Sequence, residues 1–242
     1  GVDYLIIGGG IIGLSIAKAL KERNPAVSVR LIEKEPQVGM HSSGRNSGVL
    51  HAGFYYSADS LKARFTRDGN RQMHAFCEEK GLEINRCGKV IVAQNESEIE
   101  GLEELKHRGD ANKVALEWMS EDELAHRFPE AKTTQKALFS PNTSSVDPKA
   151  VVQALALHVK GLGVEIVRDC AYEARASKDA VLTSKGVYFF NTLINAAGLY
   201  ADKIGRDFGA SKNYTIIPFK GIYLKDRFNR MGLSTNIYPV PN

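Results

Sequence analysis

Short apolar runs alternate with stretches of helical period along the chain. Tyr4-Leu5-Ile6-Ile7 is continuously apolar, which predicts a strand. It runs into Gly8-Gly9-Gly10-Ile11-Ile12-Gly13, and from Ile11 to about Arg23 the spacing predicts a helix ending near Asn24-Pro25. Leu31-Ile32-Glu33 reads as a second strand. Leu61 to Lys80 predicts an amphipathic helix with Leu61, Phe65, Met73 and Phe76 inward and Gly81 closing it. Lys89 to Ala93 is a strand. Ser97-Glu98-Ile99-Glu100 and Ser120-Glu121-Asp122-Glu123 are capping boxes, the second opening a short helix that stops before Pro129. Asp147-Pro148 is an N-cap with proline at the first helical position, and Gly161 or Gly163 ends that helix. Val164 to Val167 returns to the first sheet. Ala180 to Leu182 and Val187 to Phe190 form a hairpin around Ser184-Lys185-Gly186, and Thr192 to Ala196 is a separate apolar strand ending at Ala197-Gly198. Beyond Lys212 the chain reads as β-rich, with strands in Tyr214 to Leu224 and Asn236 to Val240. Repeats and low-complexity tracts are lacking.

Strand, glycine turn, helix and a second strand ending in an acid make the pattern of a dinucleotide site. Gly8 permits the tight turn, Gly10 lets backbone approach a pyrophosphate, and Gly13 lets the helix pack closely. The amides of Ile11 and Ile12 open a helix N-terminus that attracts phosphate charge. Glu33, followed by Lys34, stands where a carboxylate accepts from a ribose diol. This pattern does not separate NAD from FAD.

His41-Ser42-Ser43-Gly44-Arg45-Asn46-Ser47-Gly48-Val49-Leu50-His51-Ala52-Gly53-Phe54-Tyr55-Tyr56 is dense in small and hydroxyl residues and suits a loop wrapped round a flat polar ligand. With Ser60-Leu61-Lys62-Ala63, Cys87-Gly88-Lys89, Val146-Asp147, Ala197-Gly198-Leu199-Tyr200-Ala201-Asp202, Pro218-Phe219-Lys220-Gly221 and Ile237-Tyr238-Pro239-Val240-Pro241, this run resembles the L-2-hydroxyglutarate dehydrogenase/oxidase family. That family lies within the D-amino-acid oxidase/glycine oxidase superfamily of FAD-dependent oxidoreductases. The resemblance runs through the whole chain in order. Arg45 replaces the family's usual histidine, and Lys220 its usual arginine, so a fork-shaped donor becomes a point charge. Family members continue past Tyr-Pro-x-Pro, whereas this chain starts at Gly1 and stops at Asn242; the expectation is an N-terminal portion of a longer polypeptide.

The resemblance implies an α/β fold. An FAD-binding Rossmann-like domain of the GR2 type (residues 1–84 and 145–210) is interleaved with a β-rich α+β substrate domain (85–144 and 211–242), with the C-terminal part missing. It implies FAD as cofactor and oxidation of a 2-hydroxy acid, L-2-hydroxyglutarate first among them, by hydride transfer to flavin N5. Such chemistry needs a proton acceptor near neutral pKa, which suits histidine. His51 is the candidate, the alternative being that it only hydrogen-bonds the flavin or orders the loop. Arg45 either faces the flavin pyrimidine or binds a substrate carboxylate, against a phosphate contact or surface ion pair. Lys220, Tyr223 and Tyr238 are the other substrate-side candidates. Ser42, Ser43, Asn46, Ser47, Gly48, Val49, Ala197 and Gly198 are expected at the cofactor, with Tyr172 near the adenine. An amino-acid oxidase, a glycerol-3-phosphate dehydrogenase-like enzyme and a non-catalytic FAD-binding fragment are the competing readings.

Composition narrows partners rather than chemistry. The 242 residues are 43% hydrophobic and 25% charged, ordinary for a globular protein. The net charge of +4 suits an anionic dicarboxylate, and the scattered Lys and Arg give no nucleic-acid footprint. Oxygen, a quinone or an electron-transfer protein is the expected electron acceptor. Three spaced cysteines favour a reducing, cytoplasmic setting, and no zinc-ligand spacing appears. The absence of an eighteen-residue apolar stretch or signal-peptide pattern leaves peripheral contact with an inner membrane open.

Overall fold

The computed structural model describes residues 1–224 and 232–241. Its elements in chain order are β1 (Val2–Ile7), α1 (Ile11–Arg23), β2 (Val29–Ile32), β3 (Val49–Leu50), α2 (Leu61–Glu79), β4 (Ile84–Asn85), β5 (Lys89–Val92), α3 (Ile99–Ala111), β6 (Glu117–Ser120), α4 (Glu121–Arg127), β7 (Lys136–Ser140), β8 (Ser144–Val146), α5 (Pro148–Gly161), β9 (Glu165–Val167), β10 (Tyr172–Arg175), β11 (Ala180–Thr183), β12 (Gly186–Asn195), α6 (Ala201–Asp207) and β13 (Asn236–Pro239). The chain forms two compact units, one of residues 1–46 and 148–222, the other of residues 47–147 and 223–242. These boundaries differ from those expected. Residues 47–84 join the second unit because β3 and β4 both pair with β8, and 211–222 join the first.

The first unit is a six-stranded sheet in the order β10-β11-β12-β1-β2-β9. β1 lies between β12 and β2, parallel to both, and Leu5 and Ile6 are fully buried. That burial is why the strand reads as a continuous apolar run. α1 packs against α5, each burying one stripe: Leu14 and Ala17 on α1; Val151, Val152, Leu155 and Val159 on α5. The two apolar segments expected as separate strands around Phe190 and Thr192 are one ten-residue strand, β12. Its first half closes the hairpin with β11, and its second half pairs with β1 from Val2↔Phe190 to Ile7↔Asn195. The chain changes partner without a turn, so no local signal separates the halves.

Residues 213–224 form no strand, contrary to the β-rich expectation. Side chains of α6 hold the start of this segment. Arg206 Nη2 donates to Tyr214 O (2.9 Å) and Thr215 Oγ1 (2.9 Å), and Ile216 N donates to Asp202 Oδ2 (3.2 Å). Backbone groups tied to side chains this way are not in register for a ladder.

The second unit holds a four-stranded sheet, β13-β5-β7-β6, and a three-stranded sheet, β3-β8-β4. β5 sits inside the larger sheet, and period-two alternation divides its side chains between two apolar clusters. Ile91 joins Phe54, Leu102, Leu105 and Leu138 on one face, while Val90 and Val92 join Leu124, Phe128 and Phe139 on the other. Lys89 shares the parity of Ile91 and is fully buried.

Two local expectations are corrected. Leu61 and Phe65 of α2 are 62% and 59% exposed. The inward stripe runs instead through Ala63, Asn70, Met73, His74 and Cys77, and its polar members are hydrogen-bonded: Asn70 to backbone carbonyls, His74 Nε2 to Ser144 Oγ at 2.8 Å. Before α3, Asn95 rather than Ser97 is the capping side chain, its Oδ1 accepting from Ser97 N at 3.1 Å. The capping box at α4 is present in full: Glu123 N donates to Ser120 Oγ at 3.2 Å and Ser120 N to Glu123 Oε2 at 2.7 Å. Ser120→Ala removes the hydroxyl that accepts from Glu123 N and leaves the reciprocal backbone bond to Glu123. It is expected to cost about 1 kcal/mol, seen as a lower urea midpoint at unchanged slope; an unchanged midpoint would mean that α4 is held by packing alone.

Candidate functional site

In the first unit, a cavity of about 690 Å³ opens at the carboxyl ends of β1, β2 and β12, where open parallel sheets bind ligands. Gly8, Gly10, Ile11 and Ile12 line it from the β1–α1 turn, Glu33 and Lys34 from the end of β2, Ser42, Ser43 and Asn46 from the polar loop, and Ala197 and Gly198 from the end of β12. Tyr172 lines it from β10, and its hydroxyl donates to Asp207 Oδ2 at 2.8 Å. The cavity therefore gathers most of the residues expected at a cofactor.

Close packing dictates the turn. Gly8 has φ +114°, and a Cβ there would lie 2.4 Å from Ala196 O; at Gly13 it would lie 2.0 Å from Gly8 O. A Cβ on Gly10 would come to 3.0 Å from Ser43 Oγ at the cavity wall, so its absence keeps the backbone accessible. Ser43 Oγ accepts from Ile11 N at 3.0 Å, and Asn46 Nδ2 donates to the carbonyls of Ser42 and Ser43, both at 3.0 Å. Gly10 offers α1 no side-chain cap, and the first turn carries no acidic residue. The N-terminus is thus electropositive and available to an anion.

Glu33 is buried, and its carboxylate holds the turn together. Oε2 accepts from Gly9 N at 2.7 Å and Oε1 from Glu35 N at 2.9 Å. Each oxygen keeps a second lone pair for a ligand hydroxyl. His41 Nε2 lies 2.9 Å from Glu35 Oε1, and with Lys34 it holds that half-buried carboxyl below the usual range.

Not every expected residue lies here. Gly13 packs behind the turn. Ser47, Gly48 and Val49 belong to the second unit, where Gly48 O accepts from Val146 N at 2.9 Å and Val49 pairs with Ser145. Arg45 is exposed and lines a separate groove with Lys149 and Arg168. Lys220 is exposed on the irregular segment of the first unit.

The second unit contains a polar cluster inside an apolar setting. His51 sits on the loop after β3, held by Asn70 of α2, whose Nδ2 donates to Leu50 O (3.0 Å), His51 O (3.3 Å) and Asn142 O (3.1 Å). Asn112 Nδ2 donates to Gly53 O (3.2 Å) and Tyr56 O (2.8 Å), fixing the rest of the loop. Lys89 Nζ lies 3.3 Å from His51 Nδ1. The rings of Tyr55, Phe54 and Tyr238 surround the amine, their centroids 4.1, 4.7 and 4.8 Å from Nζ. Tyr55 and Tyr238 each meet the imidazole edge-on at 6.2 Å. The Tyr55 hydroxyl is buried without a hydrogen-bond partner among the described residues.

Burial sets the proton affinities. It pushes the Lys89 amine down to about 7. Burial, with the charge of Lys89 adding to it, pushes His51 down to about 4, well below the neutral range expected of a base. Burial raises Tyr55 above the ordinary phenol value, and Tyr238 likewise, the nearby Tyr223 adding to the latter. Tyr223 itself is 71% exposed. Sequence reasoning passed over Lys89 and Tyr55. The available signal was one cation in the otherwise apolar strand Lys89-Val90-Ile91-Val92-Ala93.

Residues 3–242 match the family described as DAO, FAD dependent oxidoreductase. The L-2-hydroxyglutarate dehydrogenase of Escherichia coli (strain K12) is 38% identical over 250 residues, covering 99% of this chain and 58% of that protein. The mitochondrial L-2-hydroxyglutarate dehydrogenase of Bos taurus is 34% identical, covering 99% of this chain and 55% of that protein. The chain thus spans a little over half the length of these relatives. Among solved structures, FAD-bound L-alpha-glycerophosphate oxidase from Mycoplasma pneumoniae superposes with a TM-score of 0.83 at 24% identity, over 99% of this chain and 65% of that one. Glycine oxidase from Geobacillus kaustophilus gives 0.77 at 23%, over 86% and 58%.

Gly10→Val fills the cavity wall without straining the backbone, which is extended at this residue. The variant is expected to fold, by far-UV circular dichroism, but to lose flavin on desalting; stoichiometric flavin retained would place the pyrophosphate elsewhere. A second expectation concerns pH. Both depressed groups bind protons more readily in the unfolded chain, so stability rises with pH through each window. The His51 contribution is complete above about 6.5 and lost as pH falls toward 4; the Lys89 contribution is complete above about 10.5 and lost as pH falls toward 7. Urea midpoints of the native protein should climb from pH 7 to 10 more steeply than those of Lys89→Met, and equal slopes would mean that the amine is hydrated.

Proposed function

Because the chain belongs to the FAD-dependent oxidoreductase family, we propose that it carries the nucleotide cradle and the proton acceptor of an enzyme oxidising L-2-hydroxyglutarate to 2-oxoglutarate. The observation that carries the cofactor half is the cavity at the β1–α1 turn, where a Cβ at Gly10 would meet the wall and the N-cap residue supplies the helix with no capping side chain. The substrate half is supported by 38% identity to an L-2-hydroxyglutarate dehydrogenase over 99% of the chain.

FAD fits the residues present. The first-turn amides of α1 receive the pyrophosphate, Glu33 the ribose hydroxyls, and the backbone around Tyr172 the adenine, with Ser42, Ser43, Asn46, Ala197 and Gly198 completing the contacts. When bound, the flavin supplies a two-electron centre that accepts hydride. The protein supplies the rest. His51 takes the hydroxyl proton of the substrate as its C2–H is lost as hydride. Its Nε2 has no hydrogen-bond partner among the described residues, while Nδ1 is engaged by Lys89. The hydroxyls of Tyr223 and Tyr238 are donors for substrate carboxylates, and Arg45 and Lys220, both exposed, are cationic candidates for the same task. The partners are a small anionic dicarboxylate and an electron acceptor: oxygen, a quinone or an electron-transfer protein. No helix among the described residues is long and apolar enough to cross a membrane.

Anaerobic titration of the FAD-loaded enzyme, expressed from its complete reading frame, tests this reading. L-2-hydroxyglutarate should bleach the oxidised-flavin absorbance and the D-isomer should not. A yellow protein that neither isomer bleaches would retain the cofactor assignment and refute the substrate. His51→Ala should keep its flavin and be reduced about 10²–10⁴-fold more slowly; reduction at the native rate would move the base elsewhere.

A further inference from the structure

We propose that Lys89 is the proton partner of His51: as Nε2 accepts the substrate hydroxyl proton, Nδ1–H passes its proton to the neutral Lys89 Nζ. The imidazole ends neutral, with its proton on Nε2. The positive charge rests on the lysine, and the carbonyl product forms as the hydride goes to the flavin. This deepens the function proposed above and rests on His51 being the base.

Geometry carries the assignment. Lys89 is fully buried, and its amine has no carboxylate partner among the described residues. A permanently charged lysine there would be costly, because its burial keeps solvent away and no described residue supplies a counter-ion. Among the described residues, the only hydrogen bond of Nζ runs to His51 Nδ1, 3.3 Å away. An ammonium in that place would donate to Nδ1, put the ring proton on Nε2 and disable it as a base. A neutral amine instead accepts from Nδ1–H and leaves the Nε2 lone pair free. The titratable groups facing the pair are Tyr55 from the same loop as His51 and Tyr238 from β13, with Tyr56 and Tyr223 bearing on those phenols. Burial raises Tyr55 and Tyr238 above the ordinary phenol value, so neither brings a negative charge near neutral pH.

The aromatic cage suits the charge that develops. Three ring faces within 5 Å stabilise an ammonium once it forms, without fixing it beforehand. The proton affinities agree: burial and the adjacent Lys89 push His51 down to about 4, whereas burial lowers Lys89 only to about 7. Together they join an imidazole that can face the substrate to an amine whose proton affinity lies near neutrality.

Two measurements on the FAD-loaded enzyme decide it. The first needs no variant: ¹⁵N imidazole shifts of His51 at pH 8 should show the proton on Nδ1. A proton on Nε2 would overturn the relay. The second is the pH dependence of flavin reduction in Lys89→Met. The maximal rate should fall about 10²-fold, and the acidic limb, near pH 7 in the native enzyme, should move to lower pH as His51 is left to work alone. A native limb and rate in that variant would reduce Lys89 to packing. If Lys89→Met is native while His51→Ala is slow, the relay fails and the base stands; if His51→Ala reduces its flavin at the native rate, the parent reading fails as well.

Discussion

The first unit depends on the absence of two side-chain carbons. Gly13 presses against the carbonyl of Gly8 where a Cβ would have only 2.0 Å, and Gly8 turns with φ +114° against the Ala196 carbonyl. Only with both contacts can the first turn of α1 lie directly over the ends of β1 and β12. Glu33 then reaches across from β2 and binds the Gly9 amide at 2.7 Å, tying a third strand end to the same point. The cavity is the space left above this junction, and the electropositive end of α1 faces it because the turn has nowhere else to direct it.

The second unit solves a different problem. Its central strand is buried on both faces, which normally excludes charge, yet it begins with a lysine. The unit tolerates it by surrounding the amine with ring faces and one imidazole nitrogen rather than with a carboxylate. The solution is costly for a cation and comfortable for an amine, so the proton equilibrium of the site follows from packing. Asn70 and Asn112 reinforce it at a distance by holding the carbonyls of the loop that carries His51, Phe54 and Tyr55. Asn70 and His74 thus lie on the inward stripe of α2, while Leu61 and Phe65 face outward.

Much of the first unit was legible in the order of residues. The glycine turn, the acid after β2, the Ser120 capping box and the ends of α1 and α5 depend on residues a few positions apart, and short-range sterics and hydrogen bonds act at that range. Ser42, Ser43 and Asn46 reach the cavity as the polar loop suggested. Its continuation, Ser47 to Val49, does not, because strand pairing with β8 draws it into the second unit. The irregular course of residues 213–224 escaped prediction for a related reason: its apolar residues resemble a strand, but side chains from α6 take the Tyr214 carbonyl and the Ile216 amide at its start.

The pairing of Lys89 with His51 lay beyond any local pattern. Three segments, around residues 51–55, 89 and 238, converge on one amine, and the consequence for protonation comes from the water that their convergence removes. Residue order dictated which groups were present, where helices began and that a nucleotide turn would form, since those outcomes need only neighbours. Folding alone decided that a lysine should lose its solvent and a histidine its usual basicity, because desolvation is a property of everything packed around a group rather than of its place in the chain.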